Sequence, residues 1–194
     1  MTAATARIIW LVFIVLYFIL RVNPQRLARK TPVKFSAWDR REFILLGISL
    51  TGLGILPAVY CITQFPQFAD YAFSPVQGYL GLAACVATLW MFHRTHRDLG
   101  LNWSKSLELR ERHTLVTTGI YAYVRHPMYA SFWLMAVAQV LILPNWIAGP
   151  AGLIGFGTLF FGRLHREETM MIEAFGDEYR AYMRRTARVI PWIY

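Results

Sequence analysis

Charged residues are scarce in this 194-residue sequence, where Asp, Glu, Lys and Arg together make up 16%. A soluble domain usually carries about 25% charged residues. Hydrophobic residues account for 56% of the chain and aromatic residues for 15%. One soluble core of this size would not bury so much apolar sequence, so the composition excludes an ordinary soluble domain. It favours a single-domain, multi-pass membrane protein covering residues 1–194.

Cysteine and the common catalytic signatures are also scarce. The two cysteines, Cys61 and Cys85, fall inside apolar stretches, which excludes a disulfide framework and indicates small buried hydrophobes. No paired CxxC, no HExxH, no glycine-rich phosphate loop and no serine nucleophile elbow is present. His93, His96 and Asp98 come nearest to a metal set, but no further strong ligand has suitable spacing. We therefore predict no metal.

Acidic residues are few as well: 11 against 20 basic residues, for a net charge of +9. Such a charge can indicate nucleic-acid binding, but its distribution indicates a membrane instead. The basic residues concentrate in 21–41, in 94–125 and after 162, whereas the connection 63–73 has none. This is the positive-inside bias of membrane proteins. It predicts an outer N-terminus, a cytoplasmic C-terminus, contact with anionic membrane lipids and no nucleic-acid partner.

Five uncharged apolar stretches predict an all-α fold with five transmembrane helices. A span needs about 20 apolar residues, with a range of about 17–25. The first and fourth stretches are short and must include flanking residues. The last two are joined only by Pro144-Asn145, which predicts a tight helical hairpin. The stretches are 8–20, 43–62, 74–92, 128–143 and 146–162.

The last stretch carries small residues at helical spacing and continues beyond its apolar part. Ala148 and Gly152, like Ala151 and Gly155, lie four residues apart and so share a face that favours close helix packing. Residues 164–175 then continue as an amphipathic helix, which Gly176 should break before a second helix over 177–186.

A dense polar cluster lies beside these last two stretches. Arg125 and His126 directly precede Pro127, and proline suits the first turn of a helix. These two cationic or hydrogen-bond-donating side chains should therefore lie at a helix N-terminus, which attracts anions. Tyr121 and Tyr129 flank them. Charged groups held beside a membrane span are costly, so this cluster is a candidate functional site.

Glu167 and Glu168 follow the last apolar stretch. Arg163 lies four residues before Glu167 and shares its helix face. The two carboxylates allow two interpretations that the sequence leaves open. They form ion pairs with Arg163 and Arg166 at a solvated helix end, or they accept hydrogen bonds from a ribose diol or an ammonium group.

The run His113-Thr-Leu-Val116-Thr-Thr-Gly-Ile-Tyr121-Ala-Tyr-Val-Arg125-His126-Pro127-Met-Tyr129 resembles the cofactor motif of isoprenylcysteine carboxyl methyltransferases. The similarity continues through Glu167-Glu168 and through Phe175 to Tyr182. The similarity covers roughly residues 90–194, and the chain resembles a short, prokaryotic-type member of that family. Phospholipid methyltransferases share the motif, so it is less specific for the substrate.

The resemblance implies S-adenosylmethionine as methyl donor, S-adenosylhomocysteine as product, and a cofactor site at the cytoplasmic face. Arg163, Glu167 and Glu168 would then be the catalytic residues, with Arg163 on the substrate side. The residues that would contact the cofactor are His113, Thr114, Leu115 and Val116, largely through backbone, together with Tyr121, Arg125, His126, Pro127 and Tyr129.

The expected function is methyl transfer to a lipid-borne acceptor that enters from the bilayer, in the first place the carboxylate of a prenylated cysteine. One alternative is N-methylation of a phospholipid or other amine, for which Glu167 would be the base. An alternative of another class is a non-enzymatic lipid-binding or transport protein. The N-terminal half carries no motif that distinguishes these acceptors.

Overall fold

The computed structural model describes residues 1–28, 33–36, 38–100, 108–110 and 114–193. The predicted all-α class is confirmed, with one short antiparallel pair of strands, β1 (Val33–Ser36) and β2 (Glu108–Arg110), beside the helices. The helices are α1 (Ala3–Ala28), α2 (Arg40–Leu50), α3 (Leu56–Thr63), α4 (Pro75–Leu99), α5 (Pro127–Ile142) and α6 (Ala151–Arg185). A π-helical segment (Thr51–Ile55) joins α2 to α3, and 3-10 turns occupy Gln67–Ala69 and Gly119–Ala122.

Within the described residues, three helical stretches are long and apolar enough to cross a membrane: Ala3–Arg26, Arg40–Thr63 and Pro75–Leu99. Each is longer than the uncharged run that predicted it. The helices continue through the charged residues at their ends. Long basic side chains allow this, because their aliphatic part can lie against apolar surroundings while the charged group stays in water. The fourth predicted span is the shorter apolar helix α5, and the fifth is the first part of α6.

The connection between α5 and α6 is longer than the predicted two-residue hairpin. It occupies residues 143–150, and Asn145 organises it. The Asn145 side-chain amide donates to the Pro66 carbonyl and to Asp70, each at 2.8 Å. Its oxygen accepts the Ala148 backbone N–H at 2.8 Å. Because these bonds hold the backbone after Asn145 in a turn, α6 begins only at Ala151.

The ends of the helices that border the basic segments lie together at one end of the bundle, as the charge pattern predicts. Arg166 on α6 contacts Asp39 just before α2 at 2.8 Å. Arg41 donates to the Gly162 carbonyl at 3.0 Å. His126 at the start of α5 lies against Glu167. We call this the charged end of the bundle. Its assignment to the cytoplasm stays a prediction.

The small residues of α6 form a close helix contact, as their spacing predicts. A Cβ atom built on Gly155 would lie 2.8 Å from the Ile48 carbonyl oxygen and 3.0 Å from the Gly52 Cα. The α6 backbone therefore packs directly against α2 and the π segment. This contact fixes the distance between the two helices that carry the charged residues described below.

We expect Gly155→Val to destabilise the bundle. Overfilling a packed contact costs about 1–3 kcal/mol, and here the neighbours are backbone atoms that cannot move aside. Gly47→Ala on α2 is the control, because nothing lies within 4 Å of its built Cβ. Thermal unfolding in detergent should show a lower midpoint for Gly155→Val alone. Equal midpoints for both variants would contradict the close contact.

Candidate functional site

A cavity of about 530 Å³ opens at the charged end of the bundle and extends between α1 and α2 toward the apolar interior of the bundle. It has a polar part and an apolar part. The polar part includes Arg21, Gln25, His96, Thr114, Tyr121, Arg125, His126, Tyr129, Arg163, Glu167, Tyr179 and Tyr182. The apolar part includes Ile14, Phe18, Leu46, Leu50, Leu53, Phe132, Met135 and Leu159.

The start of α5 is held by the C-terminal segment of the chain. His126 precedes the helix and Pro127 occupies its first turn, as predicted. The Arg125 and His126 backbone N–H groups donate to the carbonyls of Ala187 and Arg188, at 2.8 and 2.9 Å. These bonds fix the backbone that aims Arg125, His126 and Tyr129 toward α6.

Glu167 is the carboxylate that faces the cavity. It accepts a hydrogen bond from the Tyr129 hydroxyl, and its Oε1 lies 3.6 Å from His126 Nδ1. Its Oε2 lies 3.9 Å from Arg163 Nε. Burial raises the pKa of Glu167, but the hydrogen bond and charge of His126, the charge of Arg163 and the Tyr129 hydroxyl outweigh burial and lower that pKa to about 2. Glu167 is therefore ionised at neutral pH.

Glu168 has a different environment, although it is the next residue. It is buried and is not among the residues that line the cavity. Its Oε1 lies 3.0 Å from Arg125 Nη2, and its Oε2 lies 3.1 Å from Arg188 Nη2. Hydrogen bonds with His126, Arg188 and Arg125 outweigh burial and hold the pKa of Glu168 far below its usual range. The structure thus gives the two neighbouring acids separate positions, one beside the cavity and one in an ion cluster.

His126 lies between the two acids. Its Nδ1 faces Glu167 and its Nε2 lies 3.5 Å from Glu168 Oε1. Burial lowers the pKa of His126, but its contacts with Glu167 and Glu168 outweigh burial and raise that pKa above its ordinary value. A cationic imidazole there compensates part of the negative charge of the pair.

We expect Glu168→Gln to destabilise the fold by about 3–5 kcal/mol, because it leaves buried cations without their counter-charge. The depressed pKa of Glu168 also means that its stabilisation is present above the ordinary glutamate pKa and is lost as the pH falls below about 4.3. Asp177→Asn is the control, since Asp177 pairs with Arg180 in solvent. Thermal unfolding against pH measures both effects. An equal midpoint for the two variants would contradict the cluster's role.

The structure brings together most of the residues predicted for the cofactor. Thr114, Leu115, Val116, Tyr121 and Pro127 line the cavity with the side chains already described. His113 lies outside the described residues. In the part of the chain that the structure describes, no group of three His, Cys, Asp or Glu side chains is placed to hold a metal ion.

Tyr179 and Tyr182 also reach the cavity. They lie in the stretch Phe175 to Tyr182 over which the resemblance continues, but they were not among the residues predicted to contact the cofactor. Gly176 has φ 54°, and this turn changes the direction of α6 so that residues after it pack over the cavity. The Tyr182 hydroxyl donates to the Tyr121 carbonyl at 2.6 Å. The signal in the sequence is a helix-breaking glycine followed by two tyrosines three residues apart, a spacing that places both side chains on one face of the second helix.

The N-terminal half contributes side chains that no motif indicated. Arg21 near the end of α1 lines the cavity and donates to the Tyr17 hydroxyl at 2.5 Å. Glu42 on α2 is fully buried, and its Oε1 lies 3.2 Å from Arg163 Nη1. The site is therefore assembled from both halves of the chain.

Comparison with known proteins matches a segment of the chain that contains His126, Arg163 and Glu167. Residues 78–173 match the model of the isoprenylcysteine carboxyl methyltransferase (ICMT) family. The chain is similar to protein-S-isoprenylcysteine O-methyltransferase of Dictyostelium discoideum, with 38% identity over 91 residues, which covers 45% of this chain and 37% of the relative. The Homo sapiens protein of that name is 35% identical over 86 residues, covering 44% of this chain and 30% of the relative.

The fold is similar to that of a solved eukaryotic intramembrane Ras methyltransferase, ICMT, with a TM-score of 0.54 and 23% identity. That match covers 81% of this chain and 55% of the solved chain. It therefore includes helices of the N-terminal half, whereas the matched segments of the two curated relatives span only about a third of the length of each.

Proposed function

We propose that this protein, whose residues 78–173 match the model of the isoprenylcysteine carboxyl methyltransferase family, transfers a methyl group from S-adenosylmethionine to the carboxylate of a prenylated cysteine. The observation that carries this proposal is one continuous cavity with a charged part and an apolar part. A polar cofactor and a lipid chain need opposite surroundings, and this cavity offers both beside Arg163 and Glu167.

The polar part of the cavity fits S-adenosylmethionine. The Tyr179 hydroxyl is buried and has no hydrogen-bond partner among the described residues. Buried polar atoms of this kind are costly without a partner, so they favour a polar ligand. The ionised Glu167 supplies acceptors for an ammonium group or a ribose diol, and the aromatic faces of Tyr121 and Tyr129 suit a cationic or planar group. When bound, S-adenosylmethionine supplies an already activated methyl group.

The apolar part of the cavity fits a prenyl chain. It lies between α1 and α2, where Phe18 and Leu50 remain more than half exposed. An acceptor can therefore enter from the bilayer between these two helices while its head remains at the charged end. Arg163 lies where the two parts meet, and its planar guanidinium matches a carboxylate in geometry and charge.

Methyl transfer at this site is chiefly a matter of positioning. The acceptor carboxylate arrives ionised and needs no general base. Arg163 orients that carboxylate, the adjacent Glu167 and His126 line the polar part beside it, and the aromatic wall excludes water from the reacting atoms. The low pKa of Glu167, about 2, makes it a weak base at neutral pH. This supports a carboxylate acceptor over an amine, which would need a base with a pKa near the working pH.

The positive-inside distribution supports a cytoplasmic location for the charged end, with the N-terminus on the outer side and the C-terminus inside. Arginines near that end, among them Arg184 and Arg185, are exposed and suited to anionic lipid headgroups. The cofactor would then enter from the cytoplasm and the acceptor from the membrane.

The dependence of turnover on acceptor chain length tests this division of the cavity. We expect S-farnesylcysteine to be methylated with a much lower KM than an S-butylcysteine derivative, because each buried CH₂ contributes about 0.8 kcal/mol. The affinity for S-adenosylhomocysteine should be the same in both assays. Equal KM values for the two acceptors would contradict a lipid site in the apolar part.

A further inference from the structure

The most unusual side chain outside the matched C-terminal segment is Glu42. It lies in the first turn of α2, inside a helix long and apolar enough to span a membrane, and it is 0% exposed. Its Oε1 lies 3.2 Å from Arg163 Nη1. Neither carboxylate oxygen has a hydrogen bond of good geometry among the described residues. A carboxylate so poorly satisfied is costly to bury and adds little stability, even when paired.

The position of Arg163 indicates why a carboxylate is buried at this point. Its guanidinium lies between two carboxylates on different helices, with Glu42 near Nη1 and Glu167 at 3.9 Å from Nε. Glu167 is only one helical turn away on α6, so the two could pair more closely without Glu42. Because Glu42 is on α2, its contact directs the guanidinium toward that helix, whose residues Leu46 and Leu50 line the apolar part.

We infer that Glu42 is a positioning residue: it holds the Arg163 guanidinium at the junction of the polar and apolar parts, where that group binds the acceptor carboxylate. This inference rests on the proposed function. It also assigns to the N-terminal half a part in acceptor recognition, for which the sequence shows no motif. Glu42 acts through Arg163 and touches neither the cofactor nor the reacting atoms.

Two other contacts tie α2 to α6 at the same level, and they supply a matched control. Asp39 pairs with Arg166 at 2.8 Å, and Arg41 donates to the Gly162 carbonyl. Asp39→Asn breaks the first ion pair and keeps the helix cap, because Asn and Asp cap helices about equally well. Neither Asp39 nor Arg166 lines the cavity. If Glu42 served only to fasten the helices, Asp39→Asn would imitate its loss.

The test compares Glu42→Gln, Glu42→Asp and Asp39→Asn with the wild type in nanodiscs. We expect Glu42→Gln to raise the KM for S-farnesylcysteine about tenfold, equivalent to about 1.4 kcal/mol, with a much smaller change in kcat. The affinity for S-adenosylhomocysteine should stay at the wild-type value. Glu42→Asp, which keeps the charge, should recover part of the loss, and Asp39→Asn should retain the wild-type KM.

Three results would overturn the inference: an unchanged KM in Glu42→Gln, an equal rise in Asp39→Asn, or a changed cofactor affinity. Direct binding of S-farnesylcysteine to protein loaded with S-adenosylhomocysteine separates this inference from the proposed reaction. If the wild type binds that acceptor but transfers no methyl group, the reaction is wrong, and weaker binding by Glu42→Gln still supports the positioning role. If the wild type does not bind the acceptor, both fail.

Discussion

Glu167→Gln is expected to lower kcat/KM for methyl transfer by about 10²–10³-fold, the scale of losing one preorganised electrostatic group in an active site. Glu167 is the only described carboxylate that lines the cavity. It contacts Tyr129, His126 and Arg163 at once. Glutamine keeps the size and can still accept the Tyr129 hydrogen bond, but it removes the charge that holds the two cations.

The fold should tolerate this change much better than the activity does. Glu173→Gln, on the exposed side of the same helix, is the matched control and should behave as wild type in every assay. Steady-state kinetics and thermal unfolding of both variants measure the difference. Full activity in Glu167→Gln would show that the Glu167 charge plays no part in the reaction. A large fall in the unfolding midpoint of this variant would show that Glu167 serves mainly to stabilise the fold.

Arg163→Lys is expected to lower kcat/KM for a prenylcysteine by at least about tenfold, because a hydrogen bond to a charged group contributes about 1.5–3 kcal/mol. Lysine retains the positive charge beside Glu42, so the buried carboxylate is not left alone. It lacks the planar fork that binds a carboxylate through two hydrogen bonds. The loss should therefore appear in the use of the acceptor, with little change in the affinity for S-adenosylhomocysteine.

Arg166→Lys is the control for this experiment. Arg166 lies on the same helix and pairs with Asp39, but both side chains are partly exposed, so the pair contributes about 1 kcal/mol or less. Its kinetics should match the wild type. If Arg163→Lys instead weakened cofactor binding and left the KM of the acceptor unchanged, Arg163 would belong to the cofactor side of the cavity.

The sequence predicted the parts of this site that depend on local patterns. His126 before Pro127 indicated a helix start, and the structure begins α5 there. The four-residue spacing of Arg163 and Glu167 placed their side chains on one face, where they meet. Helix starts and shared faces follow from neighbours along the chain, so a sequence can indicate them.

The parts that depend on contacts between distant segments could not be predicted in the same way. Two adjacent acids look equivalent in sequence, and only the packing of residues 186–188 against the start of α5 buries Glu168 among arginines. Glu42 is the last residue of the charged run Asp39-Arg-Arg-Glu42, which the sequence alone places at the end of the basic segment before the second apolar stretch. The structure continues α2 through that run, which turns Glu42 into a buried partner of Arg163.

The most direct test of the central claim is methyl transfer from labelled S-adenosylmethionine by the purified protein, offered S-farnesylcysteine and an ethanolamine phospholipid together. We expect the label in farnesylcysteine as a base-labile methyl ester, as a carboxylate acceptor held by Arg163 requires. Label in the phospholipid, as a base-stable N-methyl group, would contradict the carboxylate assignment. Label in neither acceptor, with no binding of S-adenosylhomocysteine, would contradict the methyltransferase itself.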